Sequence, residues 1–455
     1  MVSLPAQAAV AVRTYVCVSD QSTVVQTGGI AGVHRTYVIE GQFQLSVDPN
    51  AGIATFVQVD ANATDDSPYR RTLDPNEVFN MTELAGTILE DGSIRFEGMA
   101  DDGSDVLISL TFKDDSVHLI GETIPPAGSA DFFIFSLDAV AQRKYGGGTG
   151  EPNDPYLIYT AEQMNTIGAE PNDWDKHFKL MADIDLSSYT GTDFNIIGYW
   201  RSRSDNKPFT GLFDGNSKKI SNFTYTSIDA SKVGLFGYVD GENARIKDLG
   251  LHDPNVDAGT GRYVGALVSD TNGYITGCYV EGGSVSGNHI VGGLTGYNRG
   301  TLSNCTSLCT VLGIGWVVGG LAGGNSGIIT DCCSTSDVSA EGYVGGLVGS
   351  SNGAITNCYS VGSVSSHTTG GGLLGFNYGT VTASFWDIET SGQTSSAGGI
   401  GKTTVEMQTA GTFLEAGWDF VGETANGTED IWWILEGQDY PRLTWELLTN
   451  NLSQE

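Results

Sequence analysis

The sequence predicts an all-β protein in which a right-handed parallel β-helix, with three strands per coil and capped ends, follows an antiparallel β domain. Leucines and cysteines recur every 26 or 27 residues in the second half of the chain. Each period holds short apolar runs between Asn-Gly or Ser-Gly corners, a pattern typical of strands. No period holds ten consecutive residues with helical periodicity, which excludes the helical solenoids.

The repeat register is defined by columns of identical residues. The segment "GGLVGSSNGAITNCYSVGSVS" (345–365) aligns with segments that begin at residues 265, 292, 319 and 371. Residues one period apart stack at the strand spacing of about 4.8 Å in a parallel coil, so each column is expected to form a ladder. The predicted inward ladders are Leu267, Leu294, Leu321, Leu347 and Leu373, and Cys278, Cys305, Cys332 and Cys358. A third column lies at the corners, where backbone passes close by, and consists of Gly273, Gly300, Gly327, Gly353 and Gly379.

The pattern G-G-L-x-G-x-N-x-G-x-I-x-x-C-Y, which these segments share, resembles the GLUG-motif repeats of secreted bacterial surface proteins, some of them large adhesins. The clear match covers roughly residues 262–386. The resemblance implies a parallel β-helix on a cell surface. It implies little about activity, because one repeat scaffold carries different functions.

Composition and sequence pattern divide the chain into a series of predicted segments. Residues 1–11 resemble the small-residue end of a signal peptide, and residues 12–143 alternate apolar and polar side chains as in an antiparallel sandwich or barrel. Residues 144–155 form a Gly/Pro-rich linker. We expect an N-terminal cap helix and irregular first coils over 156–260, repeats over 261–390 and a C-terminal cap over 391–455. Capping-box spacings at Thr160 and Thr403 predict the two short cap helices, and the aromatic tail is expected to close the bottom of the coil.

The net charge of −32, from 54 acidic and 22 basic residues, makes nucleic acid an unsuitable partner. A polyanionic sugar would also be repelled unless calcium or a local basic groove intervened. No apolar run approaches the roughly 20 residues of a membrane helix, so no transmembrane segment is predicted. We expect an exported protein, either secreted or held at the cell surface.

The cysteine column is interpreted as a set of small buried hydrophobic residues. Stacked side chains about 4.8 Å apart are too distant for a disulfide, whose Cβ atoms lie about 4 Å apart. Cys309 and Cys333 fall outside the column, and their state stays open. No cofactor is predicted, since the cysteine pairs lack companion ligands at metal-binding spacing. Calcium is the one ion that the sequence suggests, in the acidic loops Asp101–Asp105 and Asp65–Asp66.

One corner of the coil carries the candidate ligand site. Side chains just before each Gly-Gly-Leu would form a ridge about 20 Å long that holds a sugar by stacking and hydrogen bonds. The ridge residues are Arg262, His289, Trp316, Glu341 and His367, of which the last two lie one place further from their leucine. The alternative is that corner residues are exposed and free to vary.

Catalytic signals are sparse. Asp183, Asp185 and Asp214 resemble ordinary outward or corner carboxylates, and Arg245-Ile-Lys247 matches a polygalacturonase motif without its upstream partners. We therefore expect a non-catalytic, adhesin-like surface protein with a β-helix rod, whose partner is an extracellular polysaccharide or another surface protein. The alternative is a polysaccharide lyase or glycoside hydrolase with a groove on the β-helix, and a third interpretation is a carbohydrate-binding module that accompanies another enzyme.

Overall fold

The computed structural model describes residues 13–28, 34–48, 53–65, 72–73, 84–88, 94–99, 105–113, 116–124 and 131–450. The chain divides into two units, residues 1–156 and 157–455. The proposed signal-peptide remnant and most of the two acidic calcium loops lie outside the described residues.

The described strands of the first unit pair in antiparallel fashion, and the last pairs back with the first. Most pair with a neighbour in the chain, while Ile53–Asp65 pairs with both Thr72–Leu73 and Leu84–Ile88. The bounds expected for this unit, residues 12–143, stay a prediction. How the sheet packs, as a sandwich or a barrel, stays a prediction. The strands are β1 (Arg13–Gly28), β2 (His34–Asp48), β3 (Ile53–Asp65), β4 (Thr72–Leu73), β5 (Leu84–Ile88), β6 (Ile94–Met99), β7 (Asp105–Lys113), β8 (Ser116–Ile124) and β9 (Asp131–Arg143).

The second unit is a parallel β-solenoid of about six turns, built from three sheets. Sheet A is the long one, and sheets B and C supply one strand each per coil. Sheet B contains Arg262–Val264, His289–Gly292, Val317–Gly319, Tyr343–Gly345 and Thr369–Gly371. Sheet C contains Val268–Thr271, Thr295–Asn298, Ala322–Asn325, Val348–Ser351 and Leu374–Asn377.

Sheet A begins with the irregular coils and continues through the repeats. Its strands are Tyr156–Ile158, His177–Leu180, Ile184–Asp185, Leu212–Ser221, Thr224–Thr226, Arg245–His252, Asn255–Asp257, Tyr274–Thr276, Tyr279–Gly287, Thr301–Ser303, Thr306–Gly313, Ile328–Thr330, Cys333–Ser334, Asp337–Ala340, Ala354–Thr356, Tyr359–Ser360, Val364–Ser366, Thr380–Thr382, Phe385–Asp387 and Ile400–Lys402. Two short antiparallel pairs lie apart from it, namely Tyr199–Trp200 with Asn206–Lys207 and Trp432–Trp433 with Arg442–Leu443.

The structure places the leucines and cysteines of the repeat directly above one another. Leu294 N donates to Leu321 O at 3.0 Å, and the same bond recurs from Leu267 to Leu373. Cys305 N donates to Cys332 Sγ at 3.4 Å. Every side chain of both ladders is fully buried. The repeat therefore fills the interior of the solenoid with vertical columns, each of which contains one residue type.

Three strands per coil is not confirmed. Residues 289–313 contain four described strands, two of them on sheet A. The reason is a left-handed residue before each cysteine, which bends a run that the sequence suggested was one strand. These residues are Gly277, Asn304, Asp331 and Asn357, with φ of 62°, 53°, 52° and 52°.

The N-terminal end of the solenoid carries helix α1 (Ala161–Ala169), followed by the 3₁₀ turn Pro171–Asp173. Thr160 caps the helix by accepting from Gln163 N at 3.3 Å. Met164 and Ile167 are fully buried, and the Trp174 indole donates to Ile167 O at 2.7 Å. Met164 and Ile167 give the helix a buried face, as a cover over exposed strand edges requires.

The C-terminal end of the solenoid has two parts, a final strand and a segment that follows it. Ile400–Lys402 pairs with the last repeat strand, and the Ser396 hydroxyl accepts from Leu373 N and Leu374 N. Residues 403–447, which we call the strap, follow with helices α2 (Thr404–Met407), α3 (Ala410–Leu414) and the start of α4 (Trp445–Asn450).

The strap runs back along the outside of sheet A, whereas the sequence suggested that the aromatic tail closes the end of the coil. Its indoles donate to successive coils, from Trp418 to Ala383 O (2.8 Å), from Trp432 to Asp331 Oδ1 (3.4 Å) and from Trp445 to Asn304 O (3.1 Å). The apolar outward side chains Cys333, Tyr359 and Phe385 explain this position, because the strap buries them.

Candidate functional site

A shallow groove of about 730 Å³ runs along the corner between sheets C and A. Its centre line is the column of corner glycines, from Gly273 to Gly379. A Cβ added at Gly327 would lie 2.1 Å from Gly300 O, and at Gly379 it would lie 1.9 Å from Gly353 O. Close coil stacking therefore excludes side chains from this line, and the groove follows from that exclusion.

The two walls of the groove are the residues before and after each glycine. The first wall contains Asn272, Arg299, Ser326, Asn352 and Tyr378, and the second contains Tyr274, Thr301, Ile328, Ala354 and Thr380. Tyr274 exposes 40% of its surface and Tyr378 exposes 80%. The Arg245 guanidinium lies 4.6 Å from the centre of the Tyr274 ring. The walls thus offer amides, hydroxyls and two open aromatic rings.

Buried asparagines hold the groove in shape. Asn298 Oδ1 accepts from Gly300 N at 3.1 Å, and Asn325 Oδ1 accepts from Gly327 N at 3.2 Å. Asn377 Oδ1 accepts from Gly379 N at 2.9 Å in the same way. Side-chain oxygens that bond the backbone two residues on are typical of Asx turns.

A cluster of charges and rings supports the groove at Arg299. The Asp270 carboxylate, fully buried, accepts from both Lys232 and Arg299 through Oδ2. The Lys232 ammonium lies 4.7 to 5.3 Å from the ring centres of Trp200, Tyr238 and Tyr263. The buried Asp270 carboxylate is paired with the nearly buried Lys232 and with Arg299, whose side chain is 43% exposed, and this ion pair positions the Arg299 guanidinium at the groove wall.

Nearby, the hydroxyl of Tyr238 donates to Asp240 Oδ2 at 2.7 Å. Burial raises the pKa of Tyr238, and the hydrogen bond to the Asp240 carboxylate raises it further. Tyr238 therefore stays protonated and acts as a donor. Asp240 Oδ1 also accepts from the Asn272 amide at 2.9 Å, which ties the first wall residue of the groove to this cluster.

The proposed ridge lies at a different corner, at the edge of sheet B. Arg262 pairs directly with His289, and the register of sheet B brings Trp316 into the same column. In the coil after Trp316 the column continues with Gly342, because Tyr343 N donates to Trp316 O. Glu341 and His367 are both exposed and lie one residue outside the column. The structure brings three ridge residues together, and their role as a ligand site stays a prediction.

The His289 ring is partly buried beside the Arg262 guanidinium. Burial lowers the pKa of His289, and the positive charge of Arg262 lowers it further. The imidazole is therefore neutral near pH 7. Trp316 exposes 59% of its surface, which leaves its ring open to solvent.

The carboxylates considered for catalysis are engaged in structural contacts. Asp214 forms an ion pair with Lys247 at 2.8 Å. Asp183 Oδ1 accepts from Lys219 N at 3.0 Å, and Asp185 Oδ1 accepts from the Asn222 amide at 2.8 Å. The Asn222 hydrogen bond lowers the pKa of Asp185. These bonds join neighbouring coils and use the carboxylates as structural acceptors.

The cysteines outside the column occupy two different places. Cys309 is buried among hydroxyls, with its Sγ 3.6 Å from Ser307 Oγ and 3.8 Å from Ser336 Oγ. Cys333 is buried under the strap, where burial raises its pKa well above the usual value. The six cysteines whose side chains the structure describes are all free thiols.

Two further searches cover the described residues. No cluster of three or more His, Cys, Asp or Glu side chains in this part of the chain is arranged to hold a metal ion. Within the same residues, none of the helices has the length and apolar content needed to cross a membrane.

With the geometry established, comparison with known proteins identifies the repeat. The GLUG motif family matches residues 340–365, one whole coil from Ala340 to Ser365. The chain carries a GLUG-repeat β-helix. The match covers the coil in which Asn352 and Gly353 form the corner groove, and the other coils share its columns.

Two curated relatives of this GLUG-repeat chain are similar over part of its length. Halomucin of Haloquadratum walsbyi is 27% identical over 253 residues, which cover 54% of this chain and 3% of halomucin. A Gly-rich membrane protein of Evansella cellulosilytica is 32% identical over 163 residues, which cover 35% of this chain and 15% of that protein. The GLUG-repeat chain therefore matches only a small fraction of each relative's length.

Among solved structures, an IgA1 protease is similar with a TM-score of 0.38 and 13% sequence identity. The alignment covers 71% of this chain and 26% of the protease chain. A likeness at this level carries no argument about function.

Proposed function

We propose that this chain is part of an exported, non-catalytic surface protein, in which the GLUG β-helix is a rod that presents a binding surface to an extracellular polysaccharide. The in-register backbone ladder supports the proposal. Hydrogen bonds between consecutive leucines run without a break from Leu267 to Leu373. Such a ladder resists bending, since each coil contacts only its neighbours through a full set of strand bonds.

The surface location is supported by charge and by the relatives. A net charge of −32 favours solubility of the chain outside the cell, and most of this charge lies outside the repeats, since residues 265–379 contain only five acids and one base. One relative is named halomucin and the other a Gly-rich membrane protein, and the second name, which places that relative at a membrane, supports the surface location. Neither relative is covered over most of its length, so the role of the whole protein is also part of the proposal.

The non-catalytic part of the proposal is tested by a turnover screen. The full chain is incubated with a panel of plant and algal polysaccharides while reducing ends and ultraviolet absorbance of unsaturated products are followed. We expect no product above the rate with heat-inactivated chain. Product from any polysaccharide would overturn the non-catalytic assignment and favour a lyase or a glycosidase.

The surface assignment has a separate test. Intact cells of the producing organism are treated with a protease that does not enter them, and an antibody against the solenoid follows the chain. We expect the solenoid signal to be lost while a cytoplasmic marker is retained. Protection of the solenoid on intact cells would overturn the surface location.

A further inference from the structure

The corner groove between sheets C and A has the shape and chemistry of a binding site for a linear glycan. It crosses the corners from Gly241 to Gly379, which is six levels of the coil and about 24 Å at the strand spacing. The five levels from Gly273 to Gly379 repeat the same three positions, a wall residue, a glycine and a second wall residue. A ligand that fits such a groove is itself extended and repeats at a similar interval, as pyranose units do in an extended glycan.

The charges of the groove differ from those of the whole protein. Only Glu242 and Arg299 among its lining residues are charged, and their signs are opposite. The guanidinium of Arg299 is also paired with the buried Asp270 carboxylate at 3.0 Å. Beyond Arg299 the lining residues carry amides, hydroxyls and apolar groups without a formal charge. In a chain of net charge −32, this neutral strip fits a neutral ligand and offers no excess of cations to hold an acidic one.

Two exposed rings supply the apolar contacts that a sugar needs. Tyr274 stands in the second wall near one end of the groove, with Arg245 over one face of its ring. Tyr378 stands in the first wall at the opposite end and makes an edge contact with Phe376, with ring centres 4.7 Å apart. Both rings have limited freedom because a neighbour holds each of them, so stacking costs little conformational entropy.

We propose that the corner groove binds a neutral, extended polysaccharide with 1,4-linked pyranose units, held by stacking on Tyr274 and Tyr378 and by hydrogen bonds to Asn272, Ser326 and Asn352. This inference rests on the proposed function and names its site and ligand class. The glycine column has a second role in it, since a side chain at Gly300, Gly327 or Gly353 would fill the floor of the site.

Binding is measured by isothermal titration calorimetry of the full chain with soluble hexasaccharides of 1,4-linked glucose, xylose and mannose, and with hexagalacturonate as the acidic probe. We expect at least one neutral hexasaccharide to bind and the acidic one to bind more weakly or not at all. Tyr378→Ala and Tyr274→Ala are each expected to weaken binding roughly tenfold, which corresponds to about 1.4 kcal/mol for the lost stacking contact. Tyr378→Phe keeps the ring and is expected to retain the affinity.

Tyr159→Ala is the matched control, because Tyr159 is also an exposed aromatic side chain but lies at the start of helix α1, outside the groove. We expect it to leave binding unchanged. Trp316→Ala separates the groove from the ridge. All these variants replace exposed side chains, and equal melting temperatures would show that they fold. Loss of binding in Trp316→Ala but not in Tyr274→Ala or Tyr378→Ala would overturn the groove in favour of the ridge. Preference for hexagalacturonate, or no binding of any neutral hexasaccharide, would overturn the ligand class while leaving the surface-accessibility test of the proposed function unaffected.

Discussion

The Asn298 side-chain amide donates to the Asn325 side-chain oxygen of the next coil at 2.8 Å. The Asn325 amide in turn donates to Ser351 Oγ at 3.1 Å, and its oxygen also accepts from Gly327 N. Both asparagines are almost fully buried. One side chain thus fixes the turn of its own coil and the distance to the next, and it does so directly behind the groove wall.

Replacing Asn325 with alanine is expected to destabilise the solenoid by roughly 1–3 kcal/mol, because Gly327 N and the Asn298 amide each lose a buried acceptor. Urea unfolding followed by tryptophan fluorescence measures this, since all eight tryptophans lie in the second unit. Asn377→Ala is the control at the last level, where the side chain is only partly buried. We expect a smaller loss there, and equal losses would contradict the role of the ladder.

Replacing Gly327 with alanine is expected to destabilise the solenoid by about 1–3 kcal/mol or more, because the new Cβ would lie 2.1 Å from Gly300 O and the coils must move apart. Gly411→Ala is the matched control in helix α3, where the nearest atom is 3.9 Å from the added Cβ. That substitution is expected to be neutral or stabilising, since alanine favours helix over glycine. The free energy of unfolding of the two variants should move in opposite directions.

Replacing Leu321 with alanine is expected to cost about 2–5 kcal/mol, because it leaves a cavity at a fully buried level of the coil. Leu312, at the end of the preceding coil, exposes 46% of its surface. Leu312→Ala is expected to change the free energy of unfolding by no more than about 0.5 kcal/mol. A similar loss in both variants would show that the leucine column is not the interior of the coil.

The strap is expected to loosen as pH rises, because burial raises the pKa of Glu446. A carboxyl with a raised pKa in the folded state contributes its full stability below the usual value of about 4.3 and loses it as pH rises through the folded value. Amide hydrogen exchange of residues 403–447 should therefore quicken from about pH 4 upward by more than the intrinsic rate. Glu446→Gln is expected to abolish this excess.

Glu406 provides the contrast for that measurement. The hydrogen bond from Thr403 N, in the capping box of helix α2, lowers the pKa of Glu406. The stability that Glu406 contributes is present above the usual glutamate pKa and is lost as pH falls through the lowered pKa. Its dependence on pH therefore has the opposite sign to that of Glu446. Glu406→Gln should therefore leave the rise in exchange at higher pH in place. If it removes the rise as Glu446→Gln does, the effect does not come from burial of Glu446.

The vertical register could be read from the sequence because stacking copies one residue type from coil to coil. Leu294 and Leu321 occupy the same position in two consecutive coils, and the two copies of the repeat can be aligned without knowledge of the folded shape. The number of strands per coil could not be read as easily, because one residue with left-handed φ divides an apolar run. The types at those positions, Gly277, Asn304 and Asp331, are those that tolerate positive φ, so the signal was present in the column before each cysteine.

The corner groove was less accessible from the sequence than the ridge. Charged and aromatic residues such as Arg262 and Trp316 suggest a ligand site in the sequence itself. The groove is defined by glycines, and their effect appears only when the coils stack. The column from Gly273 to Gly379 was visible, but its use as a floor depends on which wall side chains point outward. The position of the strap also depends on folding, since it follows from an outward apolar column, Cys333, Tyr359 and Phe385, that only the coil brings into line.

The path of the strap determines how the solenoid responds to a mechanical load. Its carboxyl-terminal part contacts an early coil, through the Trp445 indole at Asn304 O and the Tyr279 ring, while its start lies at the last coil. Tension applied at Asn450 therefore pulls Trp445, Trp432 and Trp418 away one after another before it reaches the stacked strands. Under such a load we expect the aromatic contacts of the strap to break first and to form again afterwards, while the hydrogen bonds between the coils stay intact.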